Sequence, residues 1–273
     1  MMKGFWKKAF SAEHFKIDHQ TANIFVKSQW QLQDGISVPY LIYRAVVAIF
    51  FLAVFIVSLV GISMMQTTSV PGWKWLIYLT NWGITMCTIQ AIVALVIVSI
   101  AKLKEKHQVS AEAGTDTMPL HYKIYWAIHT IATTAAVCIT ISYWSVVYKP
   151  GQHPLDAVNI LTHAMNGIMM TIDLLIIAHP LRIGHMYLPL FFAFVYVIFS
   201  GIYYLAGGTD RFGRTYIYDI LNWEKTGYAF LACLLGLIFI AVMHSALAGI
   251  NAACRYLVKF RWTAKHSDKC LPY

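Results

Sequence analysis

Residues 41–65 read LIYRAVVAIFFLAVFIVSLVGISMM, and this run decides the fold class. Its one charged residue is Arg44. An α-helix rises about 1.5 Å per residue, so about 20 apolar residues cross a bilayer core about 30 Å thick. Five further stretches meet that requirement: Trp75–Ala101, Ile124–Tyr148, Leu155–Ala178, Met186–Ala206 and Thr226–Asn251. The whole chain agrees, with 59% hydrophobic residues, 12% charged residues and a mean hydropathy of +0.59 over 273 positions. In lipid every backbone polar group needs an internal partner, and the runs are too long and too uniformly apolar for barrel strands. The sequence predicts an all-α, polytopic membrane helical bundle with six transmembrane helices.

Lys and Arg accumulate on the cytoplasmic side of short loops, which gives the orientation. Lys3, Lys7, Lys8, Lys16 and Lys27 precede the first span, Lys102, Lys104, Lys106 and Lys123 flank the second loop, and Arg182 lies in the fourth. Arg255, Lys259, Arg261, Lys265 and Lys269 follow the last span. All fall on one side, so both termini are expected in the cytoplasm. The opposite loops carry Lys74, Lys149 and a last loop whose Arg211, Arg214 and Lys225 are balanced by Asp210, Asp219 and Glu224.

The net charge of +9 does not indicate nucleic-acid binding, because the basic residues are spread over four segments beside apolar helices. Anionic lipid headgroups account for that distribution. Cys87, Cys138 and Cys233 lie inside spans and Cys254 just after one, which argues for free thiols rather than a disulfide framework. No apolar core of a cleavable signal precedes residue 41, so the first span is expected to direct insertion. The ending CLPY is a poor prenylation motif at Cys270, given its Pro and its terminal Tyr.

Three regions follow: a cytoplasmic amphipathic and aromatic segment at 1–40, a six-helix transmembrane domain at 41–251, and a basic cytoplasmic tail at 252–273. Phe5, Trp6, Phe10, Phe15, Phe25 and Trp30 punctuate the first segment, which is expected on the headgroup layer or folded under the bundle. Residues 111–119 (AEAGTDTMP) read as flexible and 207–225 (GGTDRFGRTYIYDILNWEK) as an ordered outer cap. The protein is expected to be integral to the plasma membrane, with the endoplasmic reticulum as the other compartment considered.

Function is sought in polar residues inside the spans. At about 100° per residue, Asn159, Asn166, Met170 and Asp173 fall at about −40°, −60°, −20° and −80° from His163. They share one face of the fourth span, and that face must point into the bundle, because a polar stripe toward lipid is costly. The same arithmetic groups His129, Thr133 and Thr140, then Cys233, His244 and Asn251, then Asn81, Thr85 and Thr88, and then Tyr196, Ser200 and Tyr203. Hydrogen bonding between helices explains most Ser, Thr and Asn residues at about 1 kcal/mol each. Intramembrane His and Asp more often mark a site.

By depth these residues form two layers. Thr80, Asn81, His163 and Asn166 lie in the outer half. His129, Asp173, His179 and His244 lie in the inner half and are ligand types suited to zinc or haem iron, without a local metal-ligand spacing. A haem would need two histidines facing each other at one depth, for which His129 and His244 are the candidate pair. His179 and His185 flank Pro180 in a turn and read as interfacial residues. Arg44 reads as a snorkelling residue near the inner end of its span. Transport is disfavoured on the expectation of no broken helix pairs and no paired intramembrane charges.

The segments FVKSQWQ (25–31), LIYR (41–44), YLTNWG (78–83), LTHAMNG (161–167) and IYDILNW (217–223) resemble the rolling stone family, known from insect myoblast fusion. The likeness covers nearly the whole chain. More distantly, the arrangement is similar to the androgen-induced family of multipass hydrolases, which cleave fatty-acid esters of hydroxy fatty acids with an intramembrane threonine and histidine. That likeness implies Thr80, within Tyr78-Leu79-Thr80, as nucleophile. It matches His163 to the first histidine of that family's motif, while the second, catalytic one falls on Asn166.

Three readings follow. The first is a hydrolase of a fatty-acyl ester entering from membrane lipid, with Thr80 as nucleophile, His163 as base, and Asn166 and Asn81 as polar support. The second is a metal-dependent enzyme using His129, Asp173, His179 and His244 with zinc or haem iron. The third is a non-enzymatic protein of cell–cell recognition or fusion whose polar stripes serve packing. The sequence names no protein partner.

Overall fold

The computed structural model describes residues 12–31, 35–64, 71–107, 118–151 and 155–267; Cys270 and most of the 111–119 loop lie outside them. The architecture is helical throughout. The long helices are α1 (Val38–Met64), α2 (Leu79–His107) and α3 (Leu120–Ser142), the last continued by a π-turn over Tyr143–Val147. Two short helices follow, α4 (Ala157–His163) and α5 (Met165–Ile176), and then α6 (Tyr187–Leu205) and α7 (Thr226–Ser267). Among the described residues five helices are each long and apolar enough to cross a membrane.

The fourth predicted span, Leu155–Ala178, differs from the uninterrupted helix expected: α4 and α5 meet at Ala164, whose φ of −110° departs from helical values. The reason is a competition for one acceptor. The Asn166 side chain donates to the carbonyl oxygen of Thr162 at 2.7 Å, the oxygen that its own backbone N–H would take in an unbroken helix. The Thr162 hydroxyl likewise bonds back to Val158 O at 2.8 Å. The pair still runs the length of the bundle. Asn159 of α4 meets Tyr143 at one end, here termed apical, and Ile176 of α5 meets Ser28 at the other, basal end.

Helix α3 is the axis of the assembly and packs against α1's neighbour α2, α5, α6 and α7. Its middle, Thr130–Cys138, is rich in Ala and Thr and buried throughout or nearly so. Small side chains allow the close helix approach that stabilises bundles in lipid. Gly167 of α5 belongs to the same contact, since a Cβ there would strike Thr140 and the Ala136 carbonyl. By contrast, α6 and α7 leave most of their apolar surface uncovered, as helices facing lipid do.

The segment Ala12–Gln31 is folded under the basal end. It closes the C-terminus of α5, whose last carbonyls have no partner within the helix. Leu175 O accepts from Gln29 Nε2 at 2.6 Å and Trp30 Nε1 at 2.7 Å, and Ile176 O accepts from Ser28 Oγ at 2.9 Å and Gln29 N at 3.0 Å. The SQW of the 25–31 motif is therefore a helix cap. Arg182 fastens the beginning of the segment through the carbonyls of Lys16 and Asp18, at 3.0 and 2.9 Å.

At the apical end residues 207–225 form an ordered cover, as expected. Asp210 is its hub, accepting from the backbones of Phe212 and Arg214 and from the Arg214 guanidinium, each at 2.8 Å. Lys149 to Asp219, at 2.7 Å, ties this cover to the end of α3.

Candidate functional site

The basal half of the bundle holds a buried polar cluster built around Asp173. Its side chain is fully buried and that of Arg44 is 1% exposed, and the two form an ion pair at 2.7 Å. Asp173 Oδ1 also accepts from the Tyr43 hydroxyl at 2.9 Å. Its Oδ2 faces His129 Nε2 at 3.1 Å and Gln90 Nε2 at 3.5 Å. A carboxylate only accepts, so His129 Nε2 carries its proton. The remaining Arg44 donors reach the Tyr40 hydroxyl, at 2.6 and 3.0 Å, and the Tyr125 hydroxyl at 3.2 Å.

The cluster ends at His179, whose Nε2 lies 3.2 Å from the Tyr125 hydroxyl and whose ring stacks on Phe25 of the basal segment at 4.9 Å. Burial, and then the nearby His129 and Arg44, hold the His179 pKa well below its ordinary value, so its ring is neutral. Three helices, α1, α2 and α3, thus converge on one carboxylate carried by α5. In a low-dielectric interior a lone Asp is prohibitively costly, whereas one with a guanidinium and three further donors is tolerable.

A second arrangement lies between α3 and α7. The Thr134 hydroxyl is 2.9 Å from His244 Nδ1, and His244 Nε2 is 3.0 Å from the carbonyl oxygen of Arg182. The carbonyl accepts only, which places the proton on Nε2 and leaves the Nδ1 lone pair to receive the Thr134 hydroxyl proton. Thr134 and His244 are both fully buried. An apolar groove of about 470 Å³ lies between α6 and α7, lined by Leu190, Phe191, Phe194, Leu237, Ile238 and Ala241. Ala241 is one helical turn before His244.

The apical layer contains the residues expected to be catalytic, distributed over separate hydrogen bonds. Beside Thr80, the Tyr218 hydroxyl of the apical cover accepts from Leu79 N at 3.0 Å, and burial raises the Tyr218 pKa to about 12. Asn81 Nδ2 donates to Trp75 O at 2.6 Å. His163 stacks on Tyr143 at 3.5 Å, with the rings parallel to within 3°. The Asn166 amide is engaged by Thr162 O, as described above. Thr80 and Asn81 point to different sides of α2, yet both are 8% exposed, because the apical cover buries the side away from the stripe.

Among the residues proposed as metal ligands, His129, Asp173 and His179 are brought together, and the His129 and His179 rings are 4.8 Å apart. His244 is elsewhere, with both ring nitrogens engaged. Among the described residues no group of three or more His, Cys, Asp or Glu side chains is arranged to hold a metal ion. The Arg44 guanidinium sits beside Asp173 where a cation would. His129 and His244 do not face each other as a haem pair, since one turns to Asp173 and the other to Thr134.

Two readings of single residues are corrected. Arg44 does not snorkel, because its partner is an aspartate at the same depth on another helix. His185 and His179 are buried rather than interfacial, at 0% and 1% exposed, because the basal segment covers the turn that carries them. Of the two grounds given against transport, the absence of paired charges is removed by Arg44 and Asp173, while a single span is broken, at Ala164, rather than a pair. Tyr40, Tyr43, Gln90 and Tyr125 were not singled out; Tyr40 and Arg44 at i and i+4 in an apolar run were the available signal. Thr134 was passed over because it lies one residue beyond the His129/Thr133 stripe.

Comparison with known proteins gives one consistent answer. A family profile described as Protein rolling stone matches residues 1–262. The Drosophila melanogaster protein named Protein rolling stone is 35% identical over 227 residues, which is 81% of this chain and 79% of that one. No solved structure matches the chain.

Proposed function

The chain belongs to the rolling stone family, and from that premise we propose that it is an integral membrane enzyme hydrolysing a fatty-acyl ester within the bilayer, with Thr134 as nucleophile and His244 as base. The observation carrying this reading is the order hydroxyl, imidazole, carbonyl, at 2.9 and 3.0 Å. It has the parts a hydroxyl nucleophile needs: a neutral base with its lone pair toward the hydroxyl, and a third group that holds the tautomer. Thr134 Oγ attacks the ester carbonyl carbon, and its proton passes to His244 Nδ1 and then to the departing alkoxide. Water then gives its proton to the same nitrogen and attacks the acyl carbon; the bond to Thr134 Oγ breaks, the proton returns to Oγ, and the acyl group leaves as a carboxylic acid. Burial of the pair and the apolar groove ending one turn away favour a substrate arriving from lipid.

The test is turnover of a long-chain fluorogenic ester by the full-length protein in phosphatidylcholine vesicles. Thr134→Ala and His244→Gln are expected to lower kcat by about 10²–10⁴-fold, the usual share of a base-activated nucleophile, and Thr80→Ala to leave it near the parent value. Loss in Thr80→Ala alone would return the chemistry to the Thr80/His163 pair. Absence of turnover in the unaltered protein would remove the enzyme reading. The non-enzymatic role in cell–cell recognition or fusion, favoured by family membership, would then stand.

A further inference from the structure

Arg182 bonds two parts of the molecule through two different groups. Its carbonyl oxygen accepts from His244 Nε2 at 3.0 Å and from His185 N at 3.1 Å. Its guanidinium reaches the basal segment, where Nη1 donates to the carbonyl oxygens of Asp18, Lys16 and Glu13 at 2.9, 3.0 and 3.4 Å. The Lys16 carbonyl is shared, because His185 Nε2 lies 3.1 Å from it and, facing an acceptor, donates. The oxygen that holds His244 is therefore tied to the basal segment through residues 182 and 185.

The connection from α5 to α6 has no continuous ladder of its own to keep that oxygen in place. Helix α5 ends at Ile176, and a 3-10 turn resumes at Ile183–Met186. The first half of the connection is gripped by spanning helices: Pro180 O accepts from Trp126 Nε1 at 2.8 Å, and Leu181 N donates to Asn251 Oδ1 at 3.0 Å. The second half is gripped by the basal segment, through Arg182, His185 and also Gly184, where a Cβ would strike the backbone carbonyl of His14. The Trp126 ring completes the platform, with the Arg182 guanidinium 4.6 Å from its centre and the His185 ring edge-on at 4.6 Å. Trp126 lies on α3 about two turns before Thr134, so hydroxyl and base share one support.

The direction of the Thr134–His244 bond depends on the Arg182 oxygen. Without it, an N–H at Nε2 would be buried unpaired, and the other tautomer, with Nδ1–H donating to Thr134 Oγ, becomes the better satisfied. That tautomer has no lone pair toward the hydroxyl and cannot take its proton.

We propose that the Arg182 side chain is a positioning residue for His244, and that the docked basal segment thereby fixes the tautomer that activates Thr134. Its catalytic consequence rests on the ester reading; the place of the His244 proton does not. Because the acceptor is a backbone atom, changing the Arg182 side chain leaves it in the chain, and any effect on His244 comes from where the turn holds it.

Two readouts on the full-length protein in phosphatidylcholine test this. Nitrogen NMR with isotope-labelled histidine, the His244 signals being identified by their loss in His244→Gln, reads the tautomer; turnover of the fluorogenic ester reads the consequence. The parent is expected to hold the proton on Nε2. Arg182→Met keeps a stem over Trp126 but no donor, and is expected to bring in the Nδ1–H tautomer and to lower kcat by about 10–100-fold with KM little changed, the scale of a misplaced catalytic group. Arg182→Lys is expected to recover most of the loss, since one nitrogen now serves all three carbonyls. Gly184→Ala removes no polar group, pushes the His14 backbone off the turn, and is expected to act like Arg182→Met should that variant fold poorly. A His244 proton that stays on Nε2 in both Arg182→Met and Gly184→Ala would overturn the positioning role, whatever kcat does. Absence of turnover in the parent, with the tautomer still changed in the variants, would remove the ester reading and leave the positioning role standing.

Discussion

The Asp173 cluster at the basal end and the Thr80/His163 layer at the apical end are both polar regions inside an apolar bundle, and they are closed in opposite ways. Around Asp173 the bonds run between elements: Tyr43 and Arg44 come from α1, Gln90 from α2 and His129 from α3. In the apical layer several bonds stay within one element and its turn, as with Asn166 to Thr162 and Thr85 to Asn81, or reach the apical cover, as with Leu79 N to the Tyr218 hydroxyl. The difference follows from charge. A neutral amide or hydroxyl can be satisfied by a carbonyl one turn away, whereas an ionised carboxylate in low dielectric needs a cation and several donors, which a single helix does not supply. The first region therefore fixes the mutual placement of helices, and the second mainly shapes individual helices.

Breaking the ion pair is the largest expected effect. Asp173→Asn leaves the Arg44 guanidinium buried without its counter-charge and is expected to cost about 3–5 kcal/mol, with Arg44→Gln similar. Thermal unfolding in detergent measures both. The double change Arg44→Met with Asp173→Leu removes both charges and is expected to recover a large part of the loss, which separates a cost of orphaned charge from a cost of lost packing. If Thr80→Ala destabilises as much as Asp173→Asn, the contrast between the two regions is wrong.

Acid sharpens the same contrast. His179 is held neutral by burial, with its pKa well below the ordinary value. An unfolded chain binds a proton at this position below about pH 6.5 while the folded protein refuses it, so stability falls as pH drops through that value. The slope from this one group is at most about 1.4 kcal/mol per pH unit. His179→Gln is expected to unfold with a flatter dependence between neutral and mildly acidic pH. An unchanged slope would mean that His179 is protonated in the folded protein.

The sequence was informative wherever a single helix determined the answer. Membrane crossing was legible from apolar length, and the stripe Asn159, Asn166, Met170 and Asp173 was legible from helical period; all four are buried. The rest depended on two elements meeting. Arg44 and Asp173 are 129 positions apart, and nothing in either span announces the other. The role of Ser28–Trp30 as a cap for α5 was hidden for the same reason, because a C-cap is normally sought just after the helix it closes. Thr134 and His244 each sat in view, but their pairing depends on how α3 and α7 cross. The break at Ala164 was missed although its cause is local, since an Asn side chain bonding to the i−4 carbonyl leaves no mark on hydropathy.

That break offers the smallest effect and the closest test of the apical layer. Asn166→Ala returns the Thr162 carbonyl to the backbone N–H of residue 166 and removes one side-chain bond worth about 1 kcal/mol or less. Alanine also has the better helix propensity, by up to about 0.7 kcal/mol. The two contributions oppose each other, so a melting temperature close to the parent's is expected, together with slower amide exchange at 164–167 as α4 and α5 join. A large destabilisation would show that the Asn166 amide bonds another element, and the apical layer would then resemble the Asp173 cluster in kind. Unchanged exchange with unchanged stability would instead place the cause of the break in the packing of Gly167 against Thr140, where the close approach of α5 to α3 already allows no Cβ.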